Sequence, residues 1–264
     1  MDGTIYRGST LFEHTIPFLN TLQQLSIGHT FLTNNSSKSA NDYLSRLKEI
    51  GIEARPDELY TSSQATMSYL RQNQPNVNRL FLLGTPSLGQ ELTAAGFVLT
   101  RDDAMDEPDA VLAGFDTSLT FSRLCRAAFW IKQGKPFLAT HPDRVCPTDA
   151  PTILVDCGSV CRALEESTGR APDVIMGKPN PRMLHGILER HHLEPKELAM
   201  VGDRLYTDMV MARRTGCLGV LVLTGETTRV EAVNANPAPD LVVANLAELG
   251  SMLEKAHGKT LDAA

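Results

Sequence analysis

At 264 residues, 42% of them hydrophobic and 21% charged, the chain is long enough for one large domain or two modest ones, with a sizeable buried core. A formal net charge of −6 excludes a nucleic-acid binder that relies on a basic surface, although a phosphate pocket needs only a few local donors. No run of about 18 apolar residues occurs, so no membrane span is expected, and with no basic region followed by an apolar stretch at the N-terminus a cytoplasmic location is expected.

Met1-Asp2-Gly3-Thr4 opens the chain, and a polar loop leads from it into a helix on which Ile16, Phe18, Leu19, Leu22 and Leu25 fall near helical spacing. Gly28 is the expected C-cap. His29 to Leu32 reads as a short buried strand that ends in five small polar residues, Thr33-Asn34-Asn35-Ser36-Ser37. A helix follows over 39–50, closed by Gly51. Residues 56–60 read as a connection, and another helix is predicted over 62–72. This alternation predicts a parallel α/β sheet.

Punctuation around Gln74-Pro75-Asn76 separates a second unit. Strands are predicted over 79–84, 96–100, 110–114 and 136–140, and helices over 87–95 and 121–133. Residues 77–172 are thus expected to form an inserted α/β unit, with 1–76 and 173–264 as the other domain. After Gly177-Lys178-Pro179-Asn180-Pro181 a helix runs to about His192. The apolar strand 198–201 ends in Gly202-Asp203, and a helix over 207–215 is closed by Gly216. Strands over 218–223 and 240–243 and a helix over 246–255 complete the chain. The five cysteines, Cys125, Cys146, Cys157, Cys161 and Cys217, are odd in number, with no CxxC pair. Cys157 and Cys161 lack further ligands at zinc spacing, so all five read as free thiols.

In open α/β sheets ligands bind beyond the carboxyl ends of the strands. Asp2, Thr33-Asn34-Asn35, Lys178, and Asp203 with Asp208 stand at such positions. Taken singly they have plainer readings: Asp-Gly is a common turn, Thr and Asn are good helix caps, and Lys178 fits a solvated loop. Together they supply carboxylates for a hard cation, donors for an anion and one ammonium group. That set suits phosphoryl transfer.

Asp2-Gly3-Thr4-Ile5-Tyr6-Arg7-Gly8, Phe31 to Ser37, Gly177 to Pro181 and Val201 to Asp208 resemble, in order and spacing, the haloacid dehalogenase superfamily. The similarity is to its Mg²⁺-dependent phosphatases, in the subgroup with p-nitrophenyl phosphatase, pyridoxal phosphatase and phosphoglycolate phosphatase. Leu223-Thr224-Gly225 is a weaker fifth match. The resemblance implies a Rossmann-like parallel-sheet core with an inserted α/β cap, and hydrolysis of a small organic phosphate monoester through a phospho-aspartate. It implies that Asp2 is the general acid and base, its carbonyl also a Mg²⁺ ligand. Thr33 is implied as a phosphoryl ligand with Asn34 and Asn35 beside it. Lys178 would balance the phosphate charge, Asp203 would bind the metal directly and Asp208 would steady it from outside. The nucleophilic Asp is expected one residue before Met1, so this chain alone is expected to lack turnover. The alternative is a non-catalytic phosphate-ligand-binding homologue. Mutase and dehalogenase chemistry are less favoured, because dehalogenases need no metal carboxylates. In the cap, His141, Asp143 and Cys146 are possible substrate contacts. His141 departs from the subgroup's usual Asn, and Cys146 from the His of pyridoxal phosphatase. The expected partner is a small phosphorylated metabolite, with a possible homodimer through the cap.

Overall fold

Capping chemistry and apolar runs set where the elements begin and end. The computed structural model describes residues 1–146 and 152–258. The first part of the chain forms a small hairpin, β1 (Tyr6–Arg7) and β2 (Thr10–Leu11), then α1 (Thr15–Gln24), β3 (Phe31–Thr33), α2 (Ala40–Glu49), β4 (Leu59–Thr61) and α3 (Ser62–Asn73). Ser39 and Asp42 form a reciprocal capping box at the start of α2, and Thr61 with Gln64 does the same for α3. The turn that ends α1 comes earlier than expected. Ser26, at φ 56°, takes the left-handed conformation there, and Gly28 does not.

Residues 56–60, read from sequence as a connection, include the start of β4. It pairs in parallel with β3, Phe31 opposite Leu59 and Thr33 opposite Thr61. Three residues are too few to show a period, so only the partner reveals the strand.

The middle of the chain carries β5 (Arg79–Leu83), α4 (Pro86–Ala94), β6 (Val98–Leu99), β7 (Ala110–Ala113), α5 (Phe121–Lys132), β8 (Phe137–Ala139), β9 (Val145–Cys146), β10 (Leu154–Val155), α6 (Cys157–Thr168) and β11 (Val174–Ile175). Five of these strands form one parallel sheet in the order β11-β8-β7-β5-β6. Strands buried on both faces read as continuous apolar runs, and every residue of β7 and β8 is buried. Phe81, Trp130, Ile131, Phe137 and Leu164 fill one side of this sheet. Each such side chain contributes roughly 1.5–3 kcal/mol on burial. Val174 and Ile175 pair with Leu138 and Ala139, so this sheet extends past the boundary expected at 172. β9 and β10 form a separate antiparallel hairpin.

The last part comprises α7 (Arg182–His191), β12 (Ala199–Gly202), α8 (Val210–Thr215), β13 (Leu218–Val222), α9 (Arg229–Asn234), β14 (Leu241–Val243) and α10 (Leu246–Ala256). β12, β13 and β14 are parallel neighbours. Phe31 packs in one cluster with Val201, Val220 and Val222, and Leu32 in another with Met200. The β4-β3 pair and the β12-β13-β14 sheet thus share a core, yet among the described residues no strand joins β3 to β12. No helix among the described residues is long and apolar enough to cross a membrane.

Candidate active site

The loop after β3 and the turn after β12 face each other across a cavity of about 540 Å³. That is room for a small metabolite. Asp2, Thr33, Asn34, Asn35, Asp143, Cys146, Lys178 and Asp203 all line it. Groups as far apart in sequence as Asp2 and Asp203 are therefore brought to one place. Asp208 lies just behind, 1% exposed, and meets the site through Lys178.

Asp203 leaves the end of β12 and is buried. Its Oδ2 accepts the Glu226 amide at 2.9 Å, and Thr4 Oγ1 stands 3.5 Å from Oδ1. Two glycines make room for it. A Cβ on Gly3 would lie 2.3 Å from Oδ2, and one on Gly225 would lie 2.0 Å from the same atom. Only backbone without a side chain approaches a carboxylate so closely. Gly3 also has φ +75°, which favours glycine for a second reason. Thr224 donates its hydroxyl to the Gly3 carbonyl at 2.6 Å and ties the two cradle strands of chain together. Thr224-Gly225 carried only a weak signal in the sequence, and the cradle explains it.

Residues 205–209 form a π-helical turn rather than the start of an α-helix. Such turns recur at functional positions. This one carries Asp208 back towards the end of β12, where Gly202 has no Cβ to obstruct it. Asp208 Oδ1 pairs with Lys178 Nζ at 2.8 Å, and Oδ2 accepts the Arg204 amide at 3.2 Å. With both oxygens engaged, Asp208 holds the lysine. Thr207, beside it on the cavity wall, keeps its buried Oγ1 without a hydrogen-bond partner among the described residues.

The polar loop after β3 is more differentiated than its sequence suggests. Thr33 Oγ1 accepts the Asn35 amide at 3.2 Å and also hydrogen-bonds the Tyr43 side chain. Asn35 Oδ1 accepts the Ser37 amide at 2.8 Å, and its Nδ2 stands 3.7 Å from Cys146 Sγ. Asn34, expected beside the phosphate, is buried and its amide is fully engaged within the protein. Ser36, also buried, accepts the Phe115 amide at 3.0 Å and the Thr140 hydroxyl at 3.1 Å.

His141 departs from its expected role. It is fully buried and absent from the cavity wall. Its Nε2 meets Asp156 Oδ1 at 2.9 Å and its Nδ1 meets Thr140 Oγ1 at 2.8 Å. Burial works against its charge, but Cys157, the Asp156 hydrogen bond and Asp143 outweigh it and hold the imidazole up at about 9. A histidine so enclosed cannot touch a substrate. Asp143 and Cys146 do reach the cavity, and burial pushes the Cys146 thiol up from its usual range. Sequence reasoning missed Tyr6, Lys38, Arg46 and Arg204 on the cavity wall. Tyr6 comes with the β1–β2 hairpin and Arg46 with α2, away from the strand ends, whereas Lys38 stands just before α2 and Arg204 directly follows Asp203 after β12.

Among the described residues no three His, Cys, Asp or Glu side chains form a metal cage. A hard cation held by one or two carboxylates, a backbone carbonyl, waters and a substrate phosphate needs no such cage. The Asp203 carboxylate in its glycine cradle, with Oδ1 only lightly engaged, and the orphaned Thr207 hydroxyl fit that donor set.

The sequence pattern of haloacid dehalogenase-like hydrolases matches residues 1–98, and that of the HAD-hydrolase-like group matches residues 175–249. An acid sugar phosphatase of Staphylococcus aureus is 32% identical over 255 residues, 97% of this chain and 96% of that protein. The crystal structure of a 4-nitrophenylphosphatase from Thermotoga maritima superposes with a TM-score of 0.88 at 41% identity, covering 95% of this chain and 94% of the other. A glycerol phosphate phosphatase from Mycobacterium tuberculosis, solved with magnesium, gives 0.85 at 31% identity over 94% of this chain and 74% of its own. Sequence pattern, near-complete alignment and fold agree: the chain belongs to the haloacid dehalogenase-like hydrolases, in the subgroup that includes the 4-nitrophenylphosphatases.

Proposed function

We propose that the protein is a Mg²⁺-dependent phosphatase of small phosphorylated metabolites, acting in the cytoplasm through a phospho-aspartate. The observation that carries this is the convergence of Asp2, Thr33, Lys178 and Asp203 on one cavity, with Lys178 Nζ held 2.8 Å from Asp208. The names of its relatives, an acid sugar phosphatase and a 4-nitrophenylphosphatase, support the same reading.

The nucleophile in this reading is an aspartate that would immediately precede Met1. Its carboxylate attacks phosphorus, and the bond from phosphorus to the leaving oxygen breaks as Asp2 gives that oxygen its proton. Asp2 then takes a proton from water, whose oxygen attacks phosphorus and releases phosphate from the carboxylate. Lys178 and the Thr33 hydroxyl stabilise charge on the phosphoryl oxygens. Asp203 and the Asp2 carbonyl would hold Mg²⁺, with Asp208 steadying the arrangement through Lys178. When bound, the ion neutralises phosphoryl charge. The apolar residues exposed on the β9–β10 hairpin, Val145 and Val155, together with the preceding Ile153, support a homodimer through this unit.

The test is hydrolysis of a panel of phosphate monoesters with Mg²⁺ by the protein extended to include the residue before Met1. Asp2→Asn and Asp203→Asn are each expected to lower turnover by about 10²–10⁴-fold. Near-normal activity in Asp203→Asn would refute its metal role. Should no carboxylate precede Met1, and no ester be hydrolysed while phosphate still binds, the protein is a phosphate-ligand-binding homologue.

A further inference from the structure

Asn34 sits where three stretches of chain meet. Its side-chain amide offers two N–H donors and one carbonyl acceptor. Oδ1 accepts the Lys178 amide at 2.7 Å. Nδ2 donates to the Lys178 carbonyl at 3.1 Å and to Asp143 Oδ2 at 3.2 Å. Both donors are thereby committed, and nothing remains to give a phosphoryl oxygen. The residue is held from its other side as well, because Ser62 Oγ donates to the Asn34 carbonyl at 2.5 Å. Gly177 lets the chain pass close by: a Cβ there would come within 2.8 Å of Asn34 Oδ1.

Asp143 is anchored through its backbone, whose carbonyl accepts the Gly158 amide at 2.8 Å. It stands on the loop after β8, two residues beyond the buried His141, whose ring is bonded at both nitrogens. Thr140 carries that network on to Ser36, in the same loop as Asn34. Asn34 therefore joins the backbone of Lys178 to a carboxylate of the inserted unit, through a side chain with no other use.

We propose that Asn34 and Asp143 are positioning residues: their contact registers the inserted unit against the Lys178 backbone, so that Nζ is correctly aimed only when the loop after β8 is seated. Activity is one readout of this, and to that extent the inference rests on the phosphatase reading. A second readout, stability, does not depend on it.

The experiment compares Asn34→Asp, Asp143→Asn and the doubly exchanged protein with wild type, all four extended to include the residue before Met1. Asn34→Asp sets a carboxylate against the Asp143 carboxylate and the Lys178 carbonyl. Asp143→Asn keeps an acceptor oxygen towards Asn34 and serves as the single-exchange reference for the double exchange. The double exchange restores one hydrogen bond with its polarity reversed. With 4-nitrophenyl phosphate, under conditions where melts show every protein folded, Asn34→Asp should lose about a hundredfold in kcat, the scale of a misplaced catalytic group. Its inhibition by inorganic phosphate should weaken in parallel, and the double exchange should recover at least about tenfold in kcat. A purely structural pair would leave kcat of the folded protein unchanged.

Urea unfolding of the same four proteins should give a coupling of about fivefold or more in the unfolding equilibrium. That measurement decides the Asn34–Asp143 contact even if wild type proves inactive, an outcome that would overturn the phosphatase reading alone. If Asn34→Asp does not fold, Asp143→Ala takes its place, with at least a tenfold loss of kcat expected. The inference fails if kcat of folded Asn34→Asp, or of Asp143→Ala in its place, stays within threefold of wild type. It also fails if the double exchange is no better than Asn34→Asp in both readouts.

Discussion

Replacing Gly225 by alanine should damage the proposed metal site without removing any polar group. The added Cβ would lie 2.0 Å from Asp203 Oδ2 and 2.4 Å from its Cγ, well inside contact distance. The carboxylate has little room to yield, because Gly3 borders the same oxygen so closely that a Cβ there would lie 2.3 Å away. Asp203 must therefore turn, and in turning it gives up the Glu226 amide that now lies 2.9 Å from Oδ2. Overpacking of this kind costs about 1–3 kcal/mol, and a lost hydrogen bond to a charged group about 1.5–3 kcal/mol. Because the same motion relieves the first as it incurs the second, roughly 3 kcal/mol is expected, a fall in Tm of about 6–12 °C for a chain of this size. Displacing a ligand's support typically lowers metal affinity about 10–100-fold. Urea melts and calorimetric Mg²⁺ titration check both numbers. Gly28→Ala is the control: its Cβ would meet nothing within 4 Å, so it should change stability by less than about 0.5 kcal/mol. A Gly225→Ala protein with wild-type Mg²⁺ affinity would refute the cradle.

Lys178→Ala leaves Asp208, 1% exposed, without its 2.8 Å partner. Loss of roughly 3–5 kcal/mol in stability is expected, together with a fall in turnover of about 10²–10³-fold; an unchanged urea midpoint would show that the pair is not formed in solution. The His141–Asp156 pair makes stability pH-dependent. The folded-state pKa of His141, about 9, lies above the unfolded value of 6.5, so its contribution is complete below about pH 6.5 and is lost as pH rises through about 9. The stability advantage of wild type over His141→Gln should shrink over that window, by an amount on the order of a few kcal/mol; an advantage that grows with pH would reverse the assignment. If the inserted unit makes a homodimer, Ile153→Asp, at a side chain 69% exposed, should shift light-scattering mass from dimer to monomer. A monomeric wild type would end that proposal.

Much of the fold is written locally. The Ser39–Asp42 capping box marks the start of α2, and the apolar runs 80–83 and 110–113 announce central parallel strands, because burial on both faces leaves no polar alternation. α6 was legible too. Cys157, Val160, Cys161 and Leu164 fall at helical spacing and are all buried, but two of them are cysteines that invite a metal-site reading before a core reading. The candidate site was legible as a set of polar residues at strand ends, since a parallel sheet places all its carboxyl ends on one side.

The sequence by itself determined the class of fold, the order of most of its elements and some of the residues that line the site. The tertiary structure decided what each of those residues does. β4 is a strand only because β3 lies beside it, and Val174–Ile175 joins the inserted sheet only because β8 leaves it an edge. His141 is enclosed by Asp156 and Thr140, Asn34 is committed to partners 109 and 144 positions away, and Asp203 lies between two glycines 222 residues apart. Periodicity and capping report the surroundings within a turn or two of helix. Side-chain hydrogen bonds and close backbone approach depend on partners distant in the chain, so no local pattern specifies them.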